Sequence, residues 1–164
     1  MKVNMREEFD ATPDEVFAIL ADPVFQDAKA TATSTGNYTA RVDGTGDLVT
    51  IHTERHLPTA TMPDHLRGFV GEHLSIVETQ RWGPAEPDGS RHGVIDSHVK
   101  GMPVTLRGTV SLEPTPSGGS VEAMDAEIRA SIPFLGGRVE RAAAQPIETA
   151  ARHEFRLVKE FLAR

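Results

Sequence analysis

FLGGRVERAAAQPIETAARHEFRLVKEFLAR, residues 134–164, is the stretch whose reading decides the fold. Val139, Ala143, Ile147, Ala150, Ala151, Phe155, Val158, Phe161 and Leu162 recur at steps of three and four, the period of one face of an α-helix. Arg141, Gln145, Glu148, Arg152, Arg156 and Lys159 fall on the opposite side, and Gly136 and Gly137 punctuate the start. Pro146 lacks a backbone donor and crowds the turn before it. The apolar phase continues past it, so the spacing predicts one helix of about 25 residues or more, kinked at Pro146 rather than ended there. A face this long needs a broad apolar surface to lie on. Glu140 and Glu154 also point into the stripe, and a carboxylate on a buried face must be paired or meet water. The plain expectation is a position at the edge or an arginine partner; the sharper one is a partly polar, partly open interior.

The preceding chain reads as the surface that this helix covers. Residues 2–9 alternate, with Val3, Met5 and Phe9 against Lys2, Asn4, Arg6 and Glu8, which is the pattern of a half-buried strand. Thr12-Pro13-Asp14-Glu15 forms a capping box with proline at the first helical position. Val16, Phe17, Ile19 and Leu20 supply its apolar face, and Asp22-Pro23 opens a second short helix to about Ala30. Neither has the basic residues of a DNA-recognition helix. Tyr38, Ala40 and Val42 alternate into the turn Asp43-Gly44-Thr45-Gly46, and Leu48 to Leu57 is the return strand. A short helical turn or loop is expected from Pro63 to Gly71. Strands follow at Glu72–Trp82, His92–Lys100, Val104–Glu113 and Val121–Ala130, joined by glycine- and proline-rich turns. Consecutive hairpins make the sheet antiparallel. The expected fold is α+β: about seven curved antiparallel strands around the last helix, with two short helices between strands one and two.

Composition excludes several classes of function. The 164 residues suit one domain, 1–164. A net charge of −7 without a basic run argues against nucleic acid and anionic membranes as partners. With no cysteine there is no disulfide framework, thiolate nucleophile or cysteine metal site. MKVNMREEFD does not read as a signal peptide, and no apolar run has transmembrane length. The expectation is a cytoplasmic protein without stable membrane insertion, monomeric or homodimeric.

The order of strand, two helices, six strands and a long helix resembles the START-related, helix-grip (SRPBCC) superfamily, which includes birch-pollen-allergen-like proteins and polyketide cyclases. The resemblance is carried by Glu7-Glu8-Phe9-Asp10-Ala11-Thr12-Pro13-Asp14-Glu15-Val16-Phe17 at the front. At the back it is carried by Ile132-Pro133-Phe134-Leu135-Gly136-Gly137-Arg138-Val139-Glu140. Between them, Gly101-Met102-Pro103 and the Arg107-Gly108 strand resemble an uncharacterised bacterial branch, a domain of unknown function. The resemblance covers essentially the whole chain. It implies a cavity between sheet and helix that holds a hydrophobic or amphipathic small molecule. It carries no catalytic signature shared by all branches, so no catalytic residue follows from it.

Alternation then selects the lining. Val49, Ile51, Thr53, Arg55 and Leu57 share a face, as do Leu74, Ile76, Glu78, Gln80 and Trp82. Val104, Leu106, Gly108, Val110 and Leu112 form a clean apolar face, and so do Met124, Ala126, Ile128 and Ala130. The candidate ligand-binding residues are Ile51, Arg55, Ile76, Glu78, Gln80, Trp82, Leu106, Val110, Met124 and Ile128 on the strands. On the helix they are Ile147, Ala151, Glu154 and Phe155. Arg55, Glu78 and Gln80, each readable alone as a wet strand end, are expected to form with Glu140 or Glu154 a polar patch that orients a ligand. Ala143, Ala150 and Ala151, with Gly108 and Ala126 facing them, are expected to leave volume.

Three tempting constellations do not reach chemistry. His52, Glu54 and His56 share a strand face, but i and i+4 on a strand lie about 13 Å apart, too far for one ion. Asp96 and His98 read as a surface pair without a nucleophile. Glu140 and Glu154 are about 21 Å apart along a helix, beyond any glycosidase-type pair. No catalytic residue, metal or cofactor is expected. The expected function is binding, for transport or sensing, of a hydrophobic or lipid-like small molecule. A cyclase- or aromatase-like enzyme using the same cavity is the alternative, and a co-chaperone-like protein-interaction module is the second. An internal pocket favours the first two; a filled interior with an exposed apolar patch favours the third.

Overall fold

Thr12 begins the first helix as its sequence dictates. Its hydroxyl accepts from the Glu15 amide at 3.3 Å, and the Glu15 carboxylate accepts from the Thr12 amide at 2.8 Å, closing both halves of the capping box. In the computed structural model, which describes residues 1–164 apart from 61, 63, 65, 66, 69 and 70, this helix is α1 (Pro13–Leu20). It follows β1 (Lys2–Phe9) and precedes α2 (Pro23–Thr33), capped by the Asp22 carboxylate. Six strands come next: β2 (Thr39–Asp43), β3 (Val49–Pro58), β4 (His73–Trp82), β5 (Arg91–Val99), β6 (Val104–Pro114) and β7 (Ser120–Ala130). The long helix α3 is Gly136–Leu162. The turn expected at Pro63–Gly71 falls largely on residues outside the described set.

All seven strands form one antiparallel sheet in the order β1-β7-β6-β5-β4-β3-β2, so the first strand closes against the last. The main core lies between this sheet and the helices: Phe9, Val16, Leu20, Phe25, Ile51, Trp82, Leu112, Ile128, Phe155 and Val158 are each at most 5% exposed. Phe155 meets Phe9 edge-on at 6.4 Å, and Phe161 meets Phe25 at 5.2 Å. A second, smaller cluster of Val104, Ala130 and Val139 ties the beginning of α3 to the far ends of β6 and β7.

Several details differ from the expectation. α2 runs to Thr33, one turn beyond Ala30. The Thr31 and Thr33 hydroxyls donate back to the Asp27 and Lys29 carbonyls and hold that turn. α3 begins at Gly136 rather than Phe134, because Phe134 sits at φ 62°, fully exposed, in the left-handed region that ends regular helix. The helix then runs unbroken through Pro146. Ala144, outside the expected stripe, is buried beside it. Gly108 leaves no volume: a Cβ there would clash with the Asp125 carbonyl and with Ala126 of the adjacent strand, so β7's close approach already occupies that space. No helix among the described residues is long and apolar enough to cross a membrane.

Candidate functional site

The inward face of β3 and β4 follows from pairing. Thr53 stands opposite Glu78, Arg55 opposite Ile76, and Leu57 opposite Leu74; residues directly opposite on antiparallel strands share a face. Arg55 and Gln80 are buried at 6% and 7% exposure. They are interior groups, not frayed strand ends. α2 contributes what the strand pattern does not show: Phe25, Gln26, Lys29 and Ala30 form its buried face.

These elements assemble a buried polar chain. The Trp82 indole N–H donates to Gln80 Oε1 at 3.0 Å, and Gln80 Nε2 donates to Glu78 Oε1 at 3.1 Å. Arg55 Nη2 donates to Glu78 Oε2 at 3.0 Å, and Arg55 Nη1 donates to Thr33 Oγ1 at 3.3 Å. Lys29 Nζ lies 2.8 Å from Glu154 Oε2 and 3.5 Å from Glu78 Oε1. One ammonium from α2 therefore joins β4 to α3. Burial works to raise the Glu78 pKa, but the Lys29 and Arg55 charges outweigh it and hold the group at about 2. Burial likewise works against the charged form of Lys29, yet Glu154 and Glu78 outweigh it and raise its pKa.

Glu122 on β7 is the exception. It is 7% exposed, and its Oε2 has no hydrogen-bond partner. Burial first, and the negative charge of Glu154 second, push its pKa up to about 8, so it carries its proton at neutral pH. Sequence reasoning missed both Lys29 and Glu122, although signals for both were present. Lys29 is four residues from Phe25, on the same helical face, and Glu122 has the strand parity of Met124, Ala126 and Ile128.

Glu154 has the polar interior expected of it, with a lysine partner instead of an arginine. Glu140 takes the edge position: its Oε1 accepts from the Ala130 amide at 3.0 Å and its Oε2 from the Met1 ammonium at 3.2 Å. The remaining candidates divide in two. Ile51, Trp82, Leu106, Val110, Ile128 and Phe155 are core residues, and Met124 packs against them. Ile76, Glu78, Ile147, Ala151 and Glu154 keep partial exposure, as do Leu57 and Leu74. Among the described residues, Leu57, Leu74 and Ile76 face inward yet belong to neither hydrophobic cluster. The closest backbone approaches of α3 are to β7, β1, α1 and α2. Leu57, Leu74 and Ile76 are half-buried apolar side chains outside the packed clusters, on the sheet face that carries the ion cluster, while Ile147 and Ala151 of α3 pack against the main core.

The other constellations sit outside. His52 Nδ1 lies 3.0 Å from Thr79 Oγ1, and Glu54 accepts from Ser75 and Lys100. Asp96 pairs with Arg107 at 2.7 Å. No cluster of three potential metal ligands exists among the described residues. Two open surface hollows, about 310 Å³ beside Thr12, Asp14 and Asp88 and about 220 Å³ beside Tyr38, Glu54 and His56, are lined by none of these inward residues.

A seven-stranded antiparallel sheet gripping a long C-terminal helix, with two short helices after the first strand, defines the helix-grip class. Solved structures agree. The Zhui aromatase/cyclase from Streptomyces sp. R1128 superposes with a TM-score of 0.61 at 14% identity, covering 100% of this chain and 94% of that one. Human STARD10 gives 0.63 at 9% identity, covering 99% and 64%. The chain belongs to the family described as protein of unknown function (DUF2505), whose model matches residues 4–162. The uncharacterized protein Rv0481c of Mycobacterium tuberculosis is 37% identical over 100 residues, 60% of this chain. The matched stretch spans 55% of the length of that relative.

Proposed function

We propose that the protein, as a single domain over residues 1–164, binds a hydrophobic or amphipathic small molecule in a crevice between β3–β4 and α3, walled by Leu57, Leu74, Ile76, Ile147 and Ala151 and floored by the ion cluster. The observation that carries this reading is the set of inward apolar side chains, Leu57, Leu74 and Ile76, left outside the packed clusters and ending on a polar floor. Apolar walls supply affinity at about 25 cal/mol per Å² buried, less ordering costs, and the floor fixes orientation. The large apolar side chains exposed among the described residues, Met1, Val24, Leu48, Val94 and Phe134, are scattered over separate elements and do not form a docking patch.

Native mass spectrometry of freshly purified protein should show a small hydrophobic molecule retained, and the protein should take up Nile red at one site. Ala151→Trp should abolish that uptake while the circular dichroism spectrum shows the fold retained, because the indole fills the space that the ligand would occupy. Uptake unaffected by the substitution, or absent in the parent chain, would defeat the reading. An aromatase/cyclase-like reaction is the second reading. Glu122 favours it: a buried carboxyl that holds its proton at neutral pH has the ionisation state of a general acid. A released ligand whose mass differs from the one supplied would mark catalysis.

A further inference from the structure

The floor of the proposed crevice holds two cations, Lys29 and Arg55, against two carboxylates, Glu78 and Glu154. Lys29, Arg55 and the two carboxylates come from α2, β3, β4 and α3, so every element around the crevice contributes to a charge sum of zero. The cluster is not fully satisfied. Arg55 Nε and Thr53 Oγ1 are buried without a hydrogen-bond partner, whereas Lys29 is held between Glu154 and Glu78. Arg55 is a donor only, so the partner it lacks is an acceptor. Arg55 stands opposite Ile76, where the apolar wall meets the ions. Native proteins rarely leave such groups unmet without an unseen partner.

Given the binding reading above, we propose that the ligand is an uncharged amphipath whose polar end presents a hydrogen-bond-accepting oxygen, of the ketone or alcohol class, to Arg55. Its carboxylate analogue is selected against. A carboxylate would bring an uncompensated negative charge beside Glu78 and Glu154, and binding Arg55 would cost Glu78 its partner. An ammonium head would meet Lys29 and Arg55 and find no free anion, because Glu122 retains its proton.

The test is displacement of Nile red from the full chain at about pH 6.5, where dodecanoate is ionised and Glu122 is not. Methyl undecyl ketone, dodecanol, dodecanoate and dodecylamine share one chain length and differ at the head. The ketone and the alcohol should displace the dye at concentrations at least about tenfold lower than the two charged compounds. Dodecanoate binding as tightly as the ketone would overturn the inference and leave the binding reading intact. An absence of any dye uptake would overturn both. Glu154→Gln gives the floor a net positive charge and should narrow the gap between dodecanoate and ketone to about threefold or less. An unchanged gap in folded Glu154→Gln protein would also count against the inference. If that variant fails to fold, the head-group series on the parent chain decides alone.

Discussion

Glu122 shows how much one side chain inherits from its surroundings. It stands across from Leu112 on β6 and Glu7 on β1, and it faces Glu154 and Lys29 from α3 and α2. Its folded-state pKa lies above the unfolded value, so the folded chain holds a proton that the unfolded chain releases above about pH 4.5. Stability contributed by this group is therefore complete below that pH and declines as pH rises towards 8. Glu122→Gln keeps the shape and removes the titration. It should raise stability at pH 8 relative to the parent and flatten the dependence between pH 5 and 8, measured by urea denaturation. A parent profile already flat over that range would show that the carboxyl is solvated. Glu78 behaves oppositely: its contribution is present above about pH 4.5 and is lost only as pH falls towards 2.

At the scale of elements, α3 does what its periodicity requires. Phe155 is 5% exposed against Phe9, so Phe155→Ala should cost about 3–5 kcal/mol in chemical denaturation. A loss under about 0.5 kcal/mol would show that the ring is not core. This face was legible because nine apolar positions keep one phase over about seven turns of sequence, and the strands were legible because alternation survives wherever one face is wet. Parity put Arg55, Glu78 and Gln80 on one face but left each readable as a wet strand end; only the burial of that face decides that they lie inward. Two things were not legible. Periodicity treats a lysine as a surface residue, so the helical phase of Lys29 went unread: a buried cation is recognisable only once the carboxylates that stabilise it, one on β4 and one on α3, are placed beside it. Gly108 misled for the same reason. A glycine marks either a void or a close neighbour, and only the position of β7 decides that it is a neighbour.

For the whole molecule, the helix lies closest to β7 and β1, and on the β4 side ions from α2 join it to the sheet. The ion junction has a consequence for the order in which the chain assembles. Lys29, Glu78 and Glu154 come from elements far apart in sequence, and each charge is better solvated by water than by a half-formed interior. The ammonium has no reason to leave water until β4 and α3 are both in place. The junction therefore closes after the rate-limiting barrier, as a latch on an otherwise assembled sheet and helix. Lys29→Met should lower stability by about 3–5 kcal/mol, and in stopped-flow experiments nearly all of that loss should appear as faster unfolding, with the refolding limb unmoved. A slowed refolding limb would place the junction in the nucleus instead. If the latch closes last it also opens first, and the native chain would loosen at the floor of its own crevice without unravelling its sheet.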